Sequence, residues 1–107
     1  MNADLLKGKR VRWSYDDGPM AGKAFEHSFA DDGTVTWREF DGKAGLPAGG
    51  DTGVSYEVAE VNDAVYAVSY LARSGWTLTT VVDRKARKIV SFASNEKQLV
   101  IQHGKLT

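Results

Sequence analysis

The chain of 107 residues contains no cysteine, which excludes a disulfide framework, a thiolate metal site and a cysteine nucleophile. It has no surplus of charge: Lys+Arg and Asp+Glu stand at 14 each. Nucleic-acid binders ordinarily carry a basic excess, so no nucleic-acid partner is expected. Long apolar runs are also missing. No stretch approaches the ~20 residues of a membrane span, and the segment from Met1 to Lys9 lacks the apolar centre of a signal peptide. The expectation is a cytoplasmic protein with no membrane partner. Histidine is scarce, and with His27 and His103 alone a histidine-rich metal site is not supported. No metal and no cofactor are expected. Proline is scarcer than usual and falls inside no predicted strand, so no sheet edge is marked by one.

What is present is period-two alternation. In Arg10–Gly18, Val11, Trp13 and Tyr15 alternate with Arg10, Arg12 and Ser14, and the run stops at a turn-forming Asp16-Asp17-Gly18. The same grammar predicts strands over 24–30, 34–40, 54–61, 65–71, 76–82, 88–94 and 98–102, each followed by a local turn such as Asp31-Asp32-Gly33 or Asn62-Asp63. Asp4 to Gly8 reads as a single helical turn. Residues 41–52, rich in glycine, read as a long irregular segment, either the rim of a site or a tolerated insertion. The chain is long enough for one domain, residues 1–107. The predicted class is all-β: about eight antiparallel strands in an up-and-down barrel with a short N-terminal helical turn, a sandwich being the alternative.

The segments Gly8-Lys9-Arg10-Val11, Tyr15-Asp16-Asp17-Gly18, Thr34-Val35-Thr36-Trp37-Arg38 and Val65-Tyr66-Ala67-Val68-Ser69-Tyr70 resemble the calycin-like, lipocalin-like barrels of the MoaF-like family (molybdenum cofactor biosynthesis protein F). The pattern is also similar to that of the bacterial phenolic acid decarboxylases. The resemblance implies an antiparallel barrel with an internal pocket, often dimeric. It does not carry the decarboxylase chemistry. That family's two first-strand tyrosines fall on Trp13 and Tyr15, and its second-strand tyrosine falls on Phe25. Its arginine falls in a segment holding only Lys43, and its glutamate falls near Ala72. One position in five matches.

In the orientation the resemblance implies, the inward sets are Val11, Trp13 and Tyr15; Phe25, His27 and Phe29; Val35, Trp37 and Glu39; Tyr56 and Val58; Tyr66, Val68 and Tyr70; and Leu78, Thr80 and Val82. Such an interior suits a small hydrophobic or aromatic molecule bound by Trp13, Tyr15, Phe25, His27, Trp37, Tyr56, Tyr66 and Tyr70. The competing expectation is that these rings fill the barrel. If the protein is an enzyme instead, a cofactor-independent lyase, isomerase or cyclase, then Tyr15, His27 and Glu39 are the proton-handling groups, Glu39 raising the basicity of His27. A lone histidine among phenylalanines is more commonly core, and a glutamate at a strand end is more commonly solvated.

The serines 69, 74 and 91 sit in no nucleophile elbow, and the glycines of 45–50 lack the lysine and helix of a phosphate loop. Arg10, Arg12 and Arg38 share the outer face with Glu26 and Glu57, a mixed-charge surface. The outward residues of strand five, Ala67, Ser69 and Leu71, carry no charge, and strand seven adds Phe92 or Ile89. A homodimer packed across strands five to seven is therefore expected.

Overall fold

The computed structural model describes residues 5–40 and 47–107. Eight strands, β1 (Arg10–Tyr15), β2 (Ala24–Phe29), β3 (Thr34–Phe40), β4 (Pro47–Glu60), β5 (Val65–Leu71), β6 (Thr77–Asp83), β7 (Lys88–Ser94) and β8 (Leu99–Leu106), pair in sequence order and close into an antiparallel barrel. The barrel, not the sandwich, is the architecture. Before β1 the chain makes one tight turn, with Lys9 N donating to Leu6 O and Gly8 at φ +74°. No described helix is long and apolar enough to cross a membrane.

The alternation places the apolar side chains as the pleat requires. Trp13 and Tyr15 point inward from β1, Phe25, His27 and Phe29 from β2, and Tyr66, Val68 and Tyr70 from β5. On β7 it is Ile89, Ser91 and Ala93 that are buried, while Phe92 faces outward. Three of the hairpin turns use one device, an Asx side chain accepting backbone N–H groups just ahead of it. Asn62 Oδ1 accepts from Ala64 and Val65, Asp83 Oδ1 from Lys85 and Ala86, and Asn95 Oδ1 from Lys97 and Gln98.

Two segments differ from the sequence expectation. Residues 47–52 are not irregular but the first part of β4, pairing with the upper end of β3 across a register shift (Trp37↔Asp51, Arg38↔Gly50, Glu39↔Gly49). Glycine permits this: a Cβ on Gly50 would fall into the carbonyl oxygen of Trp37. The remainder of the expected irregular segment, 41–46, lies outside the described residues. The last strand also runs on past 102 to Leu106, because Gly104 lets β8 lie directly against β1 (Tyr15↔Gly104, Trp13↔Leu106). A side chain at Gly104 would meet the Ser14 carbonyl oxygen.

The two ends of the barrel are unlike. At the end where β1 begins, Leu6 plugs the opening, tied in by Gly8 N to Phe29 O and Phe29 N to Lys9 O. Above it Phe29 and Tyr56 pack edge to face at 4.9 Å, with Val35, Val82 and Ile89 fully buried. That half is filled. The other end, framed by the β1–β2, β5–β6 and β7–β8 connections, is not.

Candidate functional site

Between the filled half and the open end lies a cavity of about 390 Å³, toward the lower end of the range of about 300–1,000 Å³ typical of small-ligand sites. Its walls are the rings of Tyr15, Phe25, Trp37, Tyr70 and Trp76 with the aliphatic Leu78, and its rim carries Pro19 and Met20. Phe25 packs edge-on to Tyr15 (5.5 Å) and tilted against Trp37 (6.0 Å), so these walls hold one another in place.

Of the eight residues expected to contact a ligand, Tyr15, Phe25, His27, Trp37 and Tyr70 line this cavity. Trp13, Tyr56 and Tyr66 are not among its lining residues. Trp13 supports His27 from beside it, Tyr56 belongs to the filled half with Phe29, and Tyr66 packs under the Arg84 guanidinium, 5.5 Å from its ring centroid. Burial pushes the Tyr66 phenol up to about 12, the Arg84 charge opposing.

His27 is 2% exposed, and burial alone holds its imidazole down at about 3. Its Nε2 is 2.9 Å from the Tyr70 hydroxyl, and its Nδ1 has no hydrogen-bond partner. The expected pairing with Glu39 is absent. In the β2–β3 register Glu39 stands opposite Phe25 while Trp37 stands opposite His27. That puts Glu39 one inward position nearer the rim, where Lys23 Nζ meets it at 3.1 Å. The proton-handling set of Tyr15, His27 and Glu39 is therefore not brought together, and a different phenol, that of Tyr70, partners the histidine.

A second polar line runs from Tyr15 at the cavity wall into the enclosed interior. Trp13 Nε1 donates to the Tyr15 hydroxyl (3.1 Å), which is 2.8 Å from Ser91 Oγ, which in turn is 2.7 Å from Thr80 Oγ1. Ser91 is fully enclosed and so makes its contacts within the barrel, not as a solvent-facing nucleophile. Burial raises the Tyr15 phenol, with Ser91, Trp13 and Thr80 opposing through hydrogen bonds. Tyr70 is held well above the usual tyrosine range by burial, with the Tyr15 and Asp51 charges adding to the effect. Asp51 itself accepts from Trp37 Nε1 (3.2 Å) and from the backbone of Arg73 (3.0 Å), joining β4, β3 and the β5–β6 connection.

Sequence reasoning missed the contribution of β8 and of the connections. Gln102 lines the cavity and its Oε1 accepts from Met20 N at 2.9 Å. Next to it, Asp17 takes the backbone N–H of His103 (2.7 Å) and lies 2.9 Å from that imidazole, and Lys105 reaches Asp16 at 2.7 Å. The β1–β2 connection is thus stitched to β8 across the rim. Trp76 and Leu78, two apart on the way into β6, share the parity of the inward set, a signal that was available for Trp76. Among the described residues no cluster of His, Asp and Glu forms a metal site.

Comparison with curated proteins found no match. Among solved structures, one titled "Crystal Structure of a putative beta-lactamase from Burkholderia vietnamiensis" superposes with a TM-score of 0.72. The match is 20% identical and covers 95% of this chain and 93% of that one, a likeness of fold alone. Comparison with protein families matches residues 1–98 to the MoaF N-terminal domain. With an eight-stranded closed barrel and nearly the whole chain matched, the protein belongs to the MoaF N-terminal domain family.

Proposed function

We propose that this MoaF-like barrel binds a small apolar or aromatic molecule in the cavity at its open end. The observation that carries the reading is the asymmetry of the interior: rings fill one half of the barrel, while in the other they wall about 390 Å³ of space. A barrel built only for stability would gain by closing that space, since unfilled apolar volume is destabilising. The acid–base alternative draws less support. An imidazole held at about 3 is a weak base, and the carboxylate it would need is paired with Lys23 at the rim.

Tryptophan fluorescence tests the binding reading. Trp37 and Trp76 line the cavity and Trp13 does not, so a panel of neutral aromatics, aromatic acids and fatty acids should include members that quench or shift the emission saturably. Substituting Trp37→Phe and Trp76→Phe should remove most of that response, and Trp13 should contribute little. A panel without a single saturable response at millimolar concentration would count against a binding function.

A further inference from the structure

Two tyrosines that line the cavity, Tyr15 and Tyr70, have hydroxyls whose hydrogen-bond partners within the protein are all buried. Tyr15, Ser91 and Thr80 hold three hydroxyl protons between them, and two hydrogen bonds join them. One proton is left over. Trp13 Nε1 already donates to the Tyr15 oxygen. Ser91 and Thr80 are sealed from solvent at 0% and 2% exposure and neither lines the cavity, whereas Tyr15 does. With Thr80 donating to Ser91 and Ser91 to Tyr15, every enclosed proton has an acceptor and the spare one rests on Tyr15, the member of the three that lines the cavity. Any other direction strands a hydroxyl proton in the wall.

Tyr70 likewise keeps a hydroxyl proton for the cavity. The buried neutral imidazole of His27 has one N–H and one lone pair, and only its Nε2 has a partner. An orphaned N–H is costlier than an orphaned lone pair, so the proton belongs on Nε2 and is donated to the Tyr70 oxygen. The Tyr70 hydroxyl proton is then free for the cavity, which Tyr70 also lines.

We propose that Tyr15 and Tyr70 form a twin hydrogen-bond donor facing the cavity, and that the ligand is an aromatic molecule bearing a carbonyl-type acceptor oxygen, uncharged because no Lys or Arg is among the described lining residues to pair an anion. This rests on the binding reading above and narrows it. A ketone, aldehyde, quinone or lactone oxygen has two lone pairs and can take both donors at once. A hydrocarbon of the same outline leaves both protons unpaired.

A matched pair of probes tests it: 2-acetylnaphthalene and 2-isopropylnaphthalene, alike in shape and differing by the oxygen, with 2-naphthoate as the anion. Affinities are read by tryptophan fluorescence in the wild type, Tyr15→Phe and Tyr70→Phe. The ratio of ketone to hydrocarbon affinity should fall about tenfold in each variant, equivalent to about 1.4 kcal/mol for each lost hydrogen bond. Hydrocarbon affinity should hold or rise, since each variant removes a proton the hydrocarbon leaves unpaired. The infrared carbonyl stretch of the bound ketone, measured on the wild type and so independent of how the variants fold, should lie well below its value in hexane. An unchanged ratio in both variants, a hexane-like stretch, or tighter binding of the naphthoate would overturn the proposal. Failure of all three probes and of the wider panel to bind the wild type would instead overturn the pocket reading, and this proposal with it.

Discussion

The imidazole of His27 lies face to face with the indole of Trp13, ring centroids 4.0 Å apart and planes 21° from parallel. Phe29 covers the same imidazole from further along β2, at 6.3 Å and 18°. Stacked between rings and excluded from water, the histidine is held neutral and serves as a polar strut under Tyr70.

Its neutrality has a consequence for acid stability. The folded-state imidazole is held at about 3, below the ordinary value of 6.5, so the unfolded chain takes up the proton first as pH falls. The folded state has its full advantage above about pH 6.5 and loses roughly 1.4 kcal/mol per pH unit on the way down toward 3. Urea denaturation at pH 7, 6, 5 and 4 should show this slope, and His27→Gln, which keeps a donor for Tyr70, should flatten it. Parallel slopes for the two proteins would refute the assignment.

Removing the middle of the buried hydroxyl relay should be costly out of proportion to its size. Ser91→Ala deletes one oxygen but leaves Thr80 without its partner and Tyr15 with one fewer, all buried. A loss of about 1–3 kcal/mol is expected in chemical denaturation. A loss below about 0.5 kcal/mol would mean that the relay contributes little to the fold.

The glycine at the β1–β8 junction should tolerate no side chain. A Cβ on Gly104 would run into the Ser14 carbonyl, backbone that cannot swing aside. Gly104→Ala is expected to cost about 3 kcal/mol or more. Gly33→Ala, at φ +87° with open space around it, should cost only about 1–2 kcal/mol from the left-handed backbone. Equal thermal shifts in the two variants would contradict this account of the junction.

The outer face of β5 to β8 is expected to pair two copies of the chain. Leu71, Phe92, Leu99 and Ile101 are 66, 39, 76 and 49% exposed. In register they form two charge-free rows across four strands, Leu71/Thr77/Ser94/Leu99 and Ser69/Thr79/Phe92/Ile101. The pairing expected from these rows is centred nearer β8 than one across strands five to seven alone. Light scattering should report twice the chain mass at micromolar concentration, and Ile101→Lys should return it to one. A monomeric wild type would count against the pairing.

Much of the barrel was legible because a half-buried strand writes its inward face into every second residue. Trp13, Tyr15, Phe25, His27, Trp37 and Tyr70 could be assigned to the interior from parity alone. Parity does not say at what height along the barrel a side chain lies. Tyr56 and Tyr66 share the inward face with Tyr70 yet belong with the filled half, because height follows from strand stagger, which no local pattern records. The same ignorance of stagger made Glu39 look like a neighbour of His27, when the register sets it against Phe25 and leaves it to Lys23. Gly49 and Gly50 read as loop because glycine is rare in strands, whereas here the bareness of Gly50 is what allows β4 to pass so near Trp37.

The junction of β1 with β8 also bears on how the barrel comes together in time. Every other neighbouring pair joins strands consecutive in the chain, but Asp16 and Lys105, joined across the junction, are 89 positions apart. Loop-closure entropy makes such a contact the slow and late one in folding. One of the junction's contacts, Met20 N to Gln102 Oε1, joins two residues that line the cavity. A molecule lodged in that cavity would brace the last-formed contact, so occupancy would register as a slower rate of unfolding.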